Sequence, residues 1–452
     1  MSKIKNSFVC ENCGVEHSKW KGQCSFCKEW NSIVEQIIND EPTKSWSNNY
    51  DLKEIIPTKL DNVDINNEKR ILTNDSEFDR VLGGGIVLGC VVLIAGEPGI
   101  GKSTLLLQVS SKINGSVLYV SGEESLTQIK IRSNRINFKK SDFYVLNETD
   151  SEKIFNNITK IKPNLLIIDS IQTVTSSLIS NSIASVSQIR KCTSDLIDFA
   201  KKTNTPVFLI GHITKDGSIA GPKILEHMVD TVLQFEGDKN HIYRIIRSIK
   251  NRFGSTNELG IYEMDNKGIH EVTSPSKMLI STNQEKLSGI ALGCSMEGNR
   301  PIMIEAQALT SPATYGNPQR SSNGLDLKRL NMLLAVIEKR GGMKLTQKDV
   351  FLNITGGIKL QDPATDLSVI CSILSSNFDL FINSKTCFIG EVGLSGEIRP
   401  VSRLEDRIKE SLKMGINTIF ISKYSKIKLS ESKNYNLFRV SKIQEIIQHL
   451  FK

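Results

Sequence analysis

A glycine-rich stretch in the first third of the chain has the residue types and spacing that hold phosphate groups. It matches the pattern G-x-x-x-x-G-K-[ST] and reads Gly96-Glu97-Pro98-Gly99-Ile100-Gly101-Lys102-Ser103-Thr104. Glycines let backbone amides turn inward around phosphate oxygens, and the positive end of the following helix favours negative charge. In such a loop Lys102 reaches the β- and γ-phosphates and Ser103 ligates Mg²⁺. The stretch therefore predicts a site for ATP and magnesium.

Acidic residues follow two other apolar runs. Asp169 follows the run 165–168, so its carboxylate would lie beside the magnesium ion; an ordinary helix N-cap is the alternative, because a serine comes next. Glu123 and Glu124 follow the run 117–120. One of them must polarise the water that attacks the phosphate. We favour Glu123 as this base and keep Glu124 as the alternative.

A histidine and two cations occupy comparable positions further along. His212 follows the run 207–210 and can sense the γ-phosphate for the loop 214–222, or else be a hydrogen-bonded core histidine. Lys250 and Arg252, two residues apart after the run 243–249, share one face of an extended chain and resist burial without an opposing anion. We predict that Arg252 reaches a neighbouring subunit's γ-phosphate, which requires a ring. A solvated turn or a DNA-phosphate contact is the alternative.

Four cysteines near the start of the chain form two Cys-x-x-Cys pairs. They are Cys10, Cys13, Cys24 and Cys27. Zn²⁺ takes four such thiolates in a closed structural site, and metal binding, worth ~10–16 kcal/mol in zinc-finger peptides, would supply folding free energy. Two redox pairs are the alternative. We expect His17 at the surface and Trp20 and Trp30 packed over the module, with base stacking as the alternative for the two rings.

The remaining pattern predicts an α/β protein of several domains. Apolar runs that alternate with helix-like segments are typical of a doubly wound parallel sheet. The predicted elements are parallel strands at 91–95, 117–120, 165–168 and 207–210, antiparallel strands at 231–235, 243–249 and 260–264, and helices at 102–113 and 185–202. A second α/β domain has a strand at 302–308 and helices at 325–339, 365–377 and 443–451.

Length and composition set the organisation and the compartment. The 452 residues divide into a zinc module at 1–34, a polar linker at 35–68, an ATPase domain at 69–275 and a further domain at 276–452. No run reaches the ~20 apolar residues that cross a bilayer, so we expect a cytoplasmic protein without membrane contact. The net charge of +8 permits a polyanionic partner but also fits an ordinary solvated surface.

Over nearly its whole length the chain resembles the bacterial RadA/Sms family of DNA-repair ATPases. The motifs that carry the resemblance are the four cysteines with Trp20-x-Gly22-x-Cys24, Asp79-Arg80-Val81-Leu82-Gly83-Gly84-Gly85, the phosphate loop, Tyr119-Val120-Ser121-Gly122-Glu123-Glu124-Ser125, Leu225-Glu226-His227-Met228-Val229-Asp230 and Lys250-Asn251-Arg252-Phe253-Gly254. The resemblance implies a RecA-like ATPase core followed by a domain similar to the Lon protease fold.

The resemblance also implies an activity. The family forms hexameric rings, binds single-stranded and branched DNA, and acts as a helicase that extends recombination intermediates by branch migration with the RecA recombinase. By analogy, Lys250 and Arg252 match the lysine and the trans-acting arginine of replicative-type helicases. Two other classes remain: a nucleotide-switched DNA-binding adaptor for the recombinase, and an ATP-dependent protease.

The Lon-like segment lacks the residues for proteolysis. Ala364 stands where the nucleophilic serine belongs and Glu405 where the lysine belongs, and neither can serve in a Ser-Lys dyad. Ser368 and Lys409 lie nearby, but each is shifted by four residues. We expect a ring-forming scaffold whose basic side chains contact DNA phosphates. The candidates are Arg320, Lys328, Arg329, Arg399 and Arg403.

Overall fold

The computed structural model describes most of the chain in two compact units, Met1–Thr273 and Ser274–Lys452. The described residues are 5–10, 15–26, 28–38, 59, 69–179, 181–212, 224–237, 243–280, 286–313, 318–355, 359–427 and 435–451. Within these ranges, no helix is both long and apolar enough to cross a bilayer.

The cysteine-rich start of the chain contains a small antiparallel sheet. Its strands are β1 (Lys5–Cys10), β2 (Glu16–His17) and β3 (Ile33–Ile38), in the order β2-β1-β3. Because β3 pairs with β1 along its full length, regular structure runs four residues past the predicted module boundary at residue 34. The rest of the predicted linker, apart from residue 59, lies outside the described residues.

In the described part of the first unit, nine strands form one sheet. A two-stranded ribbon, β4 (Arg70–Ile71) with β5 (Ile86–Val87), precedes it. The strands of the large sheet are β6 (Val91–Gly96), β7 (Val117–Ser121), β8 (Phe143–Asn147), β9 (Leu165–Asp169), β10 (Val207–His212), β11 (Thr231–Glu236), β12 (Tyr243–Asn251), β13 (Leu259–Asp265) and β14 (Gly268–Glu271). Their order is β14-β13-β12-β11-β6-β10-β9-β7-β8.

Helices accompany these strands. They are α1 (Ser76–Leu82), α2 (Lys102–Lys112), α3 (Leu126–Arg135), α4 (Ser151–Ile161), α5 (Val186–Thr203) and α6 (Ile224–Met228). The central strands β6, β7 and β9 are buried along their whole length, as apolar strands between two layers of helices should be. The strand predicted at 231–235 is β11. It pairs antiparallel with β12, as predicted, but parallel with β6, so the prediction was wrong for the second pairing.

The second unit is also built around a mixed sheet. Its helices are α7 (Pro275–Leu279), α8 (Leu327–Gly341), α9 (Asp366–Phe378), α10 (Leu404–Lys413) and α11 (Ile443–Phe451). Its strands are β15 (Ile290–Glu297), β16 (Arg300–Pro312), β17 (Arg320–Asn323), β18 (Lys348–Ile354), β19 (Thr386–Ile389), β20 (Glu391–Val392), β21 (Ile398–Arg399), β22 (Thr418–Ser422) and β23 (Asn436–Val440). Among the described strands, seven form the sheet β17-β18-β16-β15-β19-β22-β23, and β20 pairs with β21.

Candidate nucleotide site

The glycine-rich loop joins β6 to the first turn of α2. Gly99 and Gly101 have φ angles of +78° and +114°, which glycine adopts without strain. A Cβ on Gly96 would lie 2.8 Å from the Phe235 carbonyl oxygen, so only glycine fits there. Gly101 is the N-cap of α2 and supplies no side-chain acceptor, so amides of the first turn stay available for an anion. The local geometry therefore suits a phosphate loop.

The lysine of the loop is buried and turned back onto its own backbone. Lys102 Nζ donates to the carbonyl oxygens of Gly96 (2.7 Å) and Glu97 (2.9 Å). Burial lowers the pKa of Lys102 to about 8, although the negative charges of Asp169 and Glu123 oppose the shift. A phosphate oxygen would replace neutral carbonyl partners by an anionic one, which favours the charged ammonium.

The sheet order gathers the other candidates at one edge. Four neighbouring strands, β6, β10, β9 and β7, run parallel, so their carboxyl ends lie side by side. His212 is opposite Gly96, and Ser121 is opposite Asp169. Gly122 donates its N–H to the Asp169 carbonyl (2.9 Å), which brings the following Glu123 over the end of β9. The edge therefore carries Lys102, His212, Asp169 and Glu123 together.

Glu123 and His212 form a connected network with the lysine. Ser170 Oγ donates to Glu123 Oε1 at 2.5 Å, and His212 Nε2 lies 3.1 Å from the same oxygen. His212 Nδ1 lies 3.3 Å from Lys102 Nζ, so an imidazole protonated on Nε2 satisfies both neighbours. Although burial opposes the charge, the hydrogen bond from Ser170 and the nearby His212 and Lys102 hold the pKa of Glu123 below its ordinary value. The carboxylate is therefore ionised and able to accept a proton.

The rival glutamate points into a different environment. Glu124 forms an ion pair with Arg132 of α3. Its side chain is 28% exposed, against 41% for Glu123. Of the two acids, Glu123 is the one that contacts residues of the nucleotide site.

A buried tyrosine connects the two predicted magnesium ligands. Tyr119 of β7 donates its hydroxyl proton to Asp169 and also hydrogen-bonds Ser103. Burial and the adjacent Asp169 carboxylate raise the pKa of Tyr119, so the hydroxyl stays neutral. Mg²⁺ prefers oxygen ligands, and the Tyr119 hydroxyl holds two of them, on Asp169 and Ser103, in position. Sequence analysis assigned no role to Tyr119 or Ser170. Tyr119 begins one of the family motifs, but its contact with Asp169 depends on the pairing of β7 with β9.

The two predicted trans-acting cations have partners within their own chain. Lys250 Nζ donates to the carbonyls of Glu226 (2.7 Å), His227 (3.1 Å) and Val229 (2.7 Å), at and just beyond the end of α6. Arg252 contacts Asp230 at 3.2 Å and is 52% exposed. Carbonyl oxygens therefore face Lys250, and the anion opposite Arg252 is the Asp230 carboxylate of the same chain.

Both cations lie near the amino-terminal end of β6, whereas the glycine-rich loop lies at its carboxyl-terminal end. Asp230, the partner of Arg252, accepts a hydrogen bond from the N–H of Val91, the first residue of β6. The glycine-rich loop follows Gly96, the last residue of that strand. Five steps along a strand cover ~17 Å. Arg252 therefore cannot reach a phosphate held by its own loop.

Comparison with known proteins places the chain in a family. It is 46% identical to the DNA repair protein RadA of Bacillus subtilis over 454 residues, which covers 99% of both chains. RadA of Listeria monocytogenes is 46% identical over 99% of both chains, and RadA of Halalkalibacterium halodurans is 47% identical over 93% of both. The chain belongs to the RadA family of DNA-repair ATPases. The resemblance inferred from the motifs is thereby confirmed.

Family models match three parts of this RadA-family chain. They are the rubredoxin metal binding domain at residues 8–35, an AAA domain at 57–218 and subunit ChlI of Mg-chelatase at 328–425. They confirm the fold class of a zinc-binding start, a P-loop ATPase core and a C-terminal α/β region. A solved KaiC-like protein from Pyrococcus horikoshii covers 45% of this chain and 99% of its own, at 20% identity and a TM-score of 0.38, too low to support an argument.

The metal-binding start of the RadA-family chain is described in part. Cys10 and Cys24 are fully buried in one cluster with Ile33, which suits inward-facing thiolate ligands. The predicted ligands Cys13 and Cys27 lie outside the described residues. The prediction of a surface His17 was wrong: it is 8% exposed, and its Nε2 lies 3.5 Å from Cys24 Sγ.

The tryptophans of this region also differ from expectation. Trp20 and Trp30 keep 59% and 67% of their surface exposed, so most of each ring faces solvent. Both rings lie beside Gly22, where a Cβ would be 3.9 Å from Trp20 and 3.7 Å from Trp30.

The Lon-like segment of the second unit is occupied by structural ion pairs. Arg407, 1% exposed, donates to Asp362 at 2.6 Å, and Arg329 pairs with Asp366. Ala364 is fully buried between the two aspartates. Ser368 is also buried and donates to the Thr365 carbonyl at 2.7 Å, while Lys409 is exposed. Ser368 and Lys409 therefore do not form a dyad.

Most of the predicted DNA-contacting cations in this unit are already engaged. Arg329 is committed to Asp366, Arg399 pairs with Glu397, and Arg403 pairs with Asp406. Arg320 donates to the Asn331 side-chain oxygen at 3.2 Å, whereas Lys328 is exposed. An exposed pair such as Arg399 with Glu397 contributes only about 0–1 kcal/mol, so a phosphate could replace its carboxylate at little cost. Asp366 is buried, so Arg329 is the weaker candidate for a phosphate contact.

Proposed function

We propose that the chain is a cytoplasmic, DNA-dependent ATPase that forms hexameric rings and translocates on single-stranded DNA. In this proposal it extends recombination intermediates by branch migration on branched DNA, together with the RecA recombinase. The observation that carries the proposal is the separation of Arg252 from its own phosphate loop by the length of β6. An arginine that acts on a γ-phosphate from that edge must act on another subunit.

The residues of the carboxyl edge support hydrolysis by in-line attack of water. Glu123 accepts the proton of the attacking water, and Ser170 and His212 orient its carboxylate. Lys102 exchanges its carbonyl partners for the β- and γ-phosphate oxygens. Mg²⁺ held by Ser103 and Asp169 would neutralise charge on the same phosphates. Arg252 of the adjoining subunit leaves Asp230 and stabilises the charge that develops in the transition state.

A mixing experiment tests the arrangement in trans. Lys102→Ala and Arg252→Ala subunits should each be inactive alone, since a finger contributes about 10³–10⁵ in rate. Mixed before ring assembly, they should recover phosphate release, because an intact loop then meets an intact arginine. Lys201→Ala, which removes another cation near Asp230, should hydrolyse ATP like the unmodified chain. Mixtures as inactive as the separate samples would contradict the proposal.

Strand displacement separates a motor from the nucleotide-switched adaptor. A forked DNA should be unwound with ATP and remain paired with a non-hydrolysable analogue. The Glu123→Gln variant, which retains the nucleotide contacts, should bind the fork without unwinding it. Equal strand displacement with ATP and with the analogue would favour the adaptor.

A further inference from the structure

The cysteine-rich start of the chain displays three large aromatic side chains to solvent. Trp20, Trp30 and Phe26 are 59%, 67% and 74% exposed. Single exposed hydrophobic residues are ordinary, but three large rings within eleven residues of a small module form a patch. Such a patch is typical of a binding surface.

Backbone hydrogen bonds fix the hairpin that carries these rings. The second cysteine-containing hairpin is closed by hydrogen bonds from Asn31 N–H to the Gly22 carbonyl (2.7 Å) and from Cys24 N–H to the Glu29 carbonyl (2.9 Å). Gln23 pairs with Trp30 across this hairpin. Because both indole rings also lie beside Gly22, they are neighbours on a fixed frame. A ligand that inserts between or over them pays little ordering entropy.

The charges around the rings identify the ligand. Lys19 and Lys21 flank Trp20, and Lys28 lies near Trp30; all three lysines are exposed, and Glu29 is the acid in the same stretch. Lysine is depleted from protein–protein interfaces, where it would lose its hydration. Interleaved cations and aromatic faces instead match single-stranded nucleic acid, whose phosphates need positive charge and whose bases stack.

We propose that Trp20 and Trp30, with the flanking lysines, form a base-stacking surface for single-stranded nucleic acid. One tryptophan face stacks on one base, and the lysines lie against the adjoining phosphates. The proposal rests on the proposed function in that DNA is the expected strand, but it assigns binding to the module that carries the cysteines. Phe26, at the turn of the same hairpin, extends the surface.

The test asks whether binding needs an aromatic ring at these two positions or only an apolar side chain. In the full-length, zinc-loaded protein, both tryptophans are changed to Leu in one variant and to Phe in another. The probes are a thymidine oligonucleotide longer than the ~4–16 nucleotides such surfaces cover and an abasic strand of equal length. We expect the Leu variant to bind the thymidine strand about tenfold or more weakly, the Phe variant to retain most affinity, and all three proteins to bind the abasic strand equally.

Further measurements keep the test decisive. Tryptophan fluorescence of the unmodified protein should fall when the thymidine strand binds and stay constant with the abasic strand. Zinc content and thermal unfolding should match among the three proteins. A Leu variant that binds the thymidine strand normally, or loses both strands equally, overturns the stacking surface and leaves the proposed function standing. If the unmodified protein bound no single strand and DNA did not change its rate of ATP hydrolysis, the stacking surface and the proposed function would both be contradicted.

Discussion

Two regions of this protein resemble catalytic motifs in sequence, and their charged side chains have different surroundings in the structure. At the carboxyl edge of the first sheet, His212 contacts both Lys102 and Glu123, and Glu123 keeps 41% of its side chain exposed. In the second unit, Asp362 and Asp366 flank Ala364, but each carboxylate is bound to an arginine. One of those arginines, Arg407, is only 1% exposed.

The two regions differ in whether their charged side chains can exchange partners. Side chains at an open edge can exchange a neutral or weak partner for a substrate. Buried and fully paired side chains hold the fold together, and removing one partner leaves the other charge without compensation. A motif therefore identifies the residue types of a site, while accessibility and pairing decide whether they perform chemistry.

The largest expected effect separates the two glutamates of the open edge. Glu123→Gln should lower the turnover number for ATP by about 10²–10⁴, because an amide cannot accept the proton of the attacking water. Glu124→Gln removes only the partner of Arg132 and should change turnover little. Phosphate release at saturating ATP measures both. The opposite ranking would assign the base to Glu124.

In the buried region the same kind of change should affect stability. Arg407→Ala leaves Asp362 without its arginine and should lower the local free energy of unfolding by about 3–5 kcal/mol. Hydrogen exchange of peptides from α9 and α10 in the full chain measures the loss. Arg403→Ala, which removes an exposed pair with Asp406, is the matched control and should cost at most about 1 kcal/mol. Equal losses would contradict the distinction.

Tyr119 sharpens the description of the open edge. Tyr119→Phe keeps the buried ring but removes the hydroxyl that orients Asp169 and Ser103. The Mg²⁺ concentration needed for half-maximal nucleotide binding should rise about 10–100-fold. Binding of a fluorescent nucleotide measures this without turnover, and the metal-free affinity serves as the internal control. An unchanged magnesium requirement would remove Tyr119 from the site.

A smaller effect depends on pH. Burial lowers the pKa of Lys102 to about 8 in the nucleotide-free protein, where Asp169, Glu123 and His212 face it. As pH rises above that value the charged fraction falls, so nucleotide binding must take up a proton. The dissociation constant for ATP should then increase by up to about tenfold per pH unit. Lys102→Arg stays charged and should give a flat profile.

For the second unit we expect that one substitution leaves proteolytic activity unchanged. Ala364→Ser restores a hydroxyl at the position of the Lon nucleophile, yet Glu405 occupies the position of the lysine and Lys409 is exposed. Without a base the hydroxyl stays unreactive. Casein degradation with ATP should therefore remain at the level of the unmodified chain. Activity that appears with this single change would show that the buried region can still act as a protease site.

Much of this architecture follows from local patterns. The apolar runs at 91–95 and 165–168 became β6 and β9, and the G-x-x-x-x-G-K-[ST] spacing placed Lys102 at the start of α2. These predictions succeed because the period of the apolar residues and the positions of the glycines act on structure within a few residues along the chain. They failed where the partner lies far along the chain, as for the strand predicted at 231–235, which pairs parallel with β6.

The sequence by itself determined the central strands of the first sheet, the helix that follows the glycine loop, and the types of residue available for phosphate and metal. Tertiary structure alone decided which of them meet. The strand order puts His212 between Lys102 and Glu123, and the parallel pairing of β11 with β6 sends Arg252 to the opposite edge. The reason is physical: local spacing sets each element, but only the packing of distant strands sets the distances between their ends.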